Sequence, residues 1–159
     1  ISHKQLTHLP DLSAVTVYGR FRCIGTGLLS LKGSPRKVIG NVVCRKNPLT
    51  SLEGASEDVG GAFFCDFCQL SSLKGAPKRV GTFFICLNNN LASLEGAPPG
   101  GIFSDFGFFP SWEEVPENLR VSDETRNTML NEAVEAATVL QARLIVGRPI
   151  CLRGKPHAQ

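Results

Sequence analysis

Four residue types return every 21 positions in this chain. Leu31, Leu52, Leu73 and Leu94 recur at that spacing, as do Gly33, Gly54, Gly75 and Gly96. Cys23, Cys44, Cys65 and Cys86 keep it, and so do Val17, Val38, Val59 and Val80. One period shared by independent columns means that every unit adopts the same supersecondary shape and buries its apolar face against its neighbour. The expected fold class is therefore a repeat solenoid. The segment that returns from one unit to the next, Ser-Leu-x-Gly-x-Pro, has no helical period, and so short a coil leaves no room for a full helix.

The shared frame is V-x-x-x-F-x-C-x-x-N-x-L-x-S-L-x-G-x-P. Phe21, Val42, Phe63 and Phe84 take the first core-facing strand position, and the cysteine column takes the next. Thr26, Asn47, Cys68 and Asn89 share a column, followed by Leu28, Leu49, Leu70 and Leu91. An asparagine column satisfies backbone groups where each strand turns. This frame resembles the leucine-rich repeat, L-x-x-L-x-L-x-x-N-x-L-x-x-L, over about residues 6–100. In length it is similar to the short bacterial type seen in secreted effectors and phage-encoded relatives. The resemblance implies a leucine-rich-repeat-like parallel β coil whose asparagine slot also accepts Thr and Cys. It brings no catalytic residues. It implies a protein-binding module, an adaptor or an inhibitor of a host protein, of the kind a phage or bacterial effector uses against host defence.

At the N-terminal edge, Leu6-Thr-His-Leu-Pro10 reads as a partial unit. At the other edge, Gly100 to Phe109 reads as a last, irregular strand in which Asp105 breaks the core pattern. Residues 1–109 thus form the expected solenoid with its edge units, and 110–159 a second part. That part begins with a linker or short turn formed by Trp112, Glu113, Glu114 and Pro116. A helix is expected over 122–146, with Ser122 as N-cap and Asp123 and Glu124 in its first turn. Leu130, Ala133, Val134, Ala137, Leu140 and Leu144 give it an apolar stripe. Gly147 is the expected stop, and Cys151 to Gln159 a basic tail. Two uses of the helix stay open. It shields the open end of the stack, or it packs against another chain, including a second copy of this one.

Six cysteines could signal a disulfide framework. Four of them lie in register, however, and so stack as small apolar residues inside the coil. Reduced thiols suit a reducing compartment, which points to the cytoplasm of a bacterium or host cell. No apolar run reaches membrane-spanning length, and no signal-type stretch opens the chain. The net charge of +3 is too small to argue for nucleic acid on its own.

Outward strand positions of such a stack form a continuous face. The expected partner-binding residues are Arg20, Arg22, Val43, Arg45, Phe64, Asp66, Phe67, Ile85 and Leu87. Val43, Phe64 and Ile85 make an apolar row, a protein-binding patch unless the C-terminal helix or the tail folds over it. Arg20, Arg22, Arg45 and Lys46 make a basic cluster that suits an acidic partner or RNA, or is simply a solvated edge. RNA recognition wants aromatic platforms among the charges, and here most aromatics lie elsewhere. Chemistry has little support. Cys65-Asp-Phe-Cys68 is a redox or half-zinc spacing, yet the repeat explains both thiols and no second pair completes four ligands. His3, His8 and His157 lie near the termini, and the glycines serve turns. No catalytic residue, cofactor or metal is expected, and the chain reads as a binder rather than an enzyme.

Overall fold

The computed structural model describes residues 6–146. His3, the expected helix stop at Gly147, His157 and the tail from Cys151 to Gln159 lie outside the described residues. The chain divides into two compact units, Ile1–Ser122 and Asp123–Gln159.

The first unit is a parallel β-solenoid of about four turns. Its first coil supplies β1 (Thr16–Val17) and β2 (Phe21–Arg22), and the second β3 (Lys37–Val38) and β4 (Val42–Val43). The third supplies β5 (Asp58–Val59) and β6 (Phe63–Phe64), and the fourth β7 (Arg79–Val80) and β8 (Phe83–Ile85). A hairpin of β9 (Gly101–Ser104) and β10 (Gly107–Phe109) follows. The sequence points to a single ribbon of strands, whereas the structure has two. One sheet runs β1-β3-β5-β7 and the other β10-β9-β8-β6-β4-β2. Phe21 lies opposite Val42, Val42 opposite Phe63, and Phe63 opposite Phe84, so the period is the strand register itself.

Between the sheets lies one core. Val38, Val59, Leu28, Leu49, Leu70 and the Leu31 column are buried, as are Cys23, Cys44, Cys65 and Cys86. Phe63 and Phe84 stack with ring centroids 5.7 Å apart. Burial of such side chains is the main favourable term in folding. After each column leucine the chain reverses. The amides of Ser34, Ala55, Ala76 and Ala97 donate to the carbonyls of Leu31, Leu52, Leu73 and Leu94. The third residue of each turn is the glycine of the column, with φ between 83° and 91°, as this turn class requires. At Gly75 a Cβ would also collide with the backbone of Glu53 in the preceding coil.

The asparagine column links the coils. Asn47 Oδ1 accepts from the amides of Thr26, Gly27 and Leu28, and its Nδ2 donates to the carbonyls of Cys23, Cys44 and Arg45. Two coils on, Asn89 Oδ1 accepts from the amide of Leu70, and its Nδ2 donates to the carbonyls of Cys65, Cys86 and Leu87. Cys68 fills the slot between them, and its thiol donates to the carbonyl of Cys44 at 3.5 Å.

Beyond Cys86 the spacing shortens. Ile85 pairs with Phe103, 18 residues on, and β10 folds back antiparallel to β9. Asp105 does not sit in a strand at all. It lies at the hairpin turn, where its carboxylate accepts from the amides of Asn88 and Asn89 at 2.9 and 3.3 Å, closing a ladder that has no further asparagine. Residues 110–122, expected as a linker or short turn, are ordered onto the last coil. A 3-10 turn (Trp112–Glu114) and the short helix α1 (Glu117–Arg120) place Val115 in the core, with Trp112 and Leu119 against it. The amide of Leu94 donates to the Leu119 carbonyl at 2.7 Å, and the Arg120 guanidinium donates to the carbonyls of Val115 and Glu113. Apolar side chains at the open end of the last coil are what this segment covers.

The second unit contains helix α2 (Asp123–Val146). Leu130, Val134 and Leu140 of the expected stripe are exposed, as is Val139 off it. No helix among the described residues is long and apolar enough to cross a membrane.

Candidate functional site

The six-stranded sheet turns one residue in two away from the core. Arg22, Val43, Phe64, Ile85, Phe103 and Phe108 lie opposite one another in that order. Their partners on the inner side include Val42, Phe63, Phe84 and Ile102, all buried. The row therefore crosses the whole sheet, one residue per strand. Val43, Phe64, Ile85 and Phe103 are half-buried, packed side by side with one flank open.

At the β10 end the row thickens into an aromatic cluster. Phe103 and Phe108 stack with centroids 4.3 Å apart, and Phe83 meets both edge-on at 5.3 and 6.3 Å. Phe83 stands opposite Gly101, where any Cβ would run into its ring. The glycine thus makes room for the phenyl group to lie over the neighbouring strand. Phe83 and Phe108 remain about half exposed, at 44% and 48%.

At the β2 end the face is basic. A concavity of about 250 Å³ is lined by Arg20, Arg22, Asn41, Val43, Arg45 and Phe64. Arg45 is committed within the fold. Its guanidinium lies 2.6 Å from the Asp66 carboxylate and 5.9 Å from the centre of the Phe67 ring. Arg20 and Arg22 are exposed and have no carboxylate partner among the described residues.

Asp66 departs from expectation. Strand alternation places it on the outer face, but it is 3% exposed and paired with Arg45. β6 ends at Phe64, and the backbone then turns through Phe67 at φ 54°, so alternation no longer applies. Its carboxylate cannot be offered to a partner. Phe67 itself is exposed at this turn, while Leu87 is half-buried beside the row. Phe103 and Phe108 fall outside the sequence-derived set because the last coil abandons the 21-residue spacing. The alternation Gly-Ile-Phe-Ser, then Gly-Phe-Phe after Asp105-Phe106, was the available signal.

Across the molecule, the four-stranded sheet is bordered by charges of alternating sign. Arg36, Glu57 and Lys78 form one ladder, and Lys37, Asp58 and Arg79 another. Lys74 pairs with Glu53 in a third column. All of these partners are 21 residues apart, one coil from the next. Lys78, helped by Arg36, holds the Glu57 carboxyl below its ordinary range. A hollow of about 450 Å³ here is lined by Arg36, Lys37, Glu57 and Asp58 among others, so its charges balance.

The five thiols among the described residues are buried and free. Burial pushes Cys23 and Cys86 up to about 12, and Cys44 and Cys65 well above the usual thiol value. Cys44, Cys65 and Cys86 each donate to a carbonyl of the next coil. Thiols held protonated in this way are poor nucleophiles. Among the described residues no group of three or more His, Cys, Asp or Glu is placed to hold a metal ion.

No known protein family, curated protein or solved structure matches this chain. The resemblance to leucine-rich repeats stays at the level of the repeat frame.

Proposed function

We propose that this solenoid is a protein-binding module that engages its partner through the outward face of the six-stranded sheet. The supporting observation is the row Val43, Phe64, Ile85, Phe103 and Phe108, an unbroken apolar line across five strands. Contiguous apolar surface marks interaction sites, and aromatic anchors carry most of the energy at such sites. The action is binding without chemistry, as an adaptor or an inhibitor. Buried, protonated thiols fit a cytoplasmic setting. That the partner is a host protein, and the module a bacterial or phage effector against host defence, follows from the leucine-rich-repeat frame by analogy.

The test uses the chain as bait in a lysate of the cell it acts in. The captured protein is identified by mass spectrometry and then purified for a direct binding titration. Phe64→Asp removes binding, whereas Lys78→Glu on the opposite sheet leaves it intact. Equal binding by both variants refutes the assignment. Two other readings have an observation each. Unpaired Arg20 and Arg22 favour a nucleic-acid binder, whose affinity falls steeply with salt. Exposed Leu130, Val134 and Leu140 favour a self-assembling subunit, whose mass in solution is a multiple of the chain.

A further inference from the structure

The outward row differs from end to end, and the difference specifies what can lie on it. Over β2 stand Arg20 and Arg22, exposed and without a carboxylate partner among the described residues. Between Val43 and Phe108 the row holds no charged side chain. The nearby carboxylates are already engaged, Asp66 by Arg45 and Asp105 by the amides of Asn88 and Asn89. Over β9 and β10 stand Phe83, Phe103 and Phe108 in mutual ring contact. The positive potential is therefore confined to one end and the aromatic surface to the other.

Adjacent strands lie about 4.8 Å apart, so the six strands span about 24 Å. An extended polypeptide crosses that distance in about seven residues. A nucleic-acid strand would bring a phosphate at every step, including over the uncharged aromatic end, where no cation would meet it. A peptide can carry its charge at one end alone.

We propose that the face takes an extended peptide segment of about seven residues, acidic over Arg20 and Arg22 and aromatic or branched aliphatic over Phe83, Phe103 and Phe108. The inference rests on the protein-binding reading and narrows it to a linear segment of defined charge polarity. Guanidinium groups suit carboxylates through paired hydrogen bonds. The phenyl cluster supplies the apolar anchor.

A display library of random peptides about eight residues long, panned on the full chain, tests this. The expected consensus clusters carboxylates at one end and aromatic or branched aliphatic residues at the other. A synthetic peptide of that consensus, followed by fluorescence anisotropy, loses about tenfold or more in affinity on Arg22→Glu. Its lysine-substituted counterpart gains affinity for the same variant. Circular dichroism melting of Arg22→Glu matches the parent, because the side chain is exposed. Enrichment without carboxylates, or affinity indifferent to Arg22→Glu, overturns the proposal. Tighter binding of a labelled oligouridine strand through the same arginines overturns it in favour of nucleic acid. If partner capture depends on Phe64 yet no linear peptide enriches, the peptide proposal fails and the protein-binding reading stands. If capture does not depend on Phe64 either, both fail.

Discussion

The two sheets of the solenoid treat charge in opposite ways. Along the four-stranded sheet, Arg36, Glu57 and Lys78 alternate in sign from coil to coil, as do Lys37, Asp58 and Arg79. Each cation there meets a carboxylate 21 residues away. On the outward face of the six-stranded sheet, Arg20 and Arg22 meet none among the described residues, and an apolar row takes over where the ladders would continue. Exposed ion pairs contribute at most about 1 kcal/mol each, so the ladders matter mainly for register. A coil slipped out of register would set like charges side by side. One sheet therefore uses its surface to align coils, while the other leaves its surface open for something external.

The sharpest way to break this comparison lies between neighbouring residues of β6. Phe63 is fully buried against Phe84, and Phe63→Ala should cost about 3–5 kcal/mol in urea unfolding. Phe64 faces out, and Phe64→Asp should cost far less stability while removing partner binding. Equal stability losses would show that both rings belong to the core. Asn47→Ala comes next, at about 2–3 kcal/mol, because it strands buried backbone groups of two coils.

Alkaline pH probes the core between the sheets. Thiols of the unfolded chain ionise near 9.0, whereas burial holds Cys23 and Cys86 protonated up to about 12. Above 9.0 the unfolded state binds fewer protons, so stability falls as pH rises, and the contribution is complete only below that value. Urea midpoints measured across this window should decline, and Cys86→Ala should flatten the decline even though it lowers stability overall. The smallest effect belongs to the ladders. Asp58→Asn should cost less than about 1 kcal/mol, and the difference should shrink in high salt. A larger, salt-insensitive loss would mean the ladders carry more than register.

Much of this was legible in the residues. Leu31, Leu52, Leu73 and Leu94 and the cysteine column point inward as their spacing demands, and α2 covers the periodic stretch it should. The second sheet was not legible, because strands of two residues such as Lys37–Val38 are too short to display alternation. The ladders were visible as opposite signs one period apart, for instance Glu57 between Arg36 and Lys78, but they carry no apolar signal. Asp66 misled because alternation was carried past the end of its strand. Phe103 and Phe108 were hidden by a coil three residues shorter than the rest, which breaks the period at the place where the face becomes most aromatic.

Hydroxyl-radical footprinting of the chain with and without its captured partner addresses the outward face most directly. Phe83, Phe103 and Phe108 should lose reactivity in the complex, while the exposed Tyr18 and Ile39, beyond β1 and β3 at the border of the other sheet, keep theirs. Unchanged reactivity at the three phenylalanines, with protection at Tyr18 and Ile39 instead, would place the partner elsewhere and remove the recognition face.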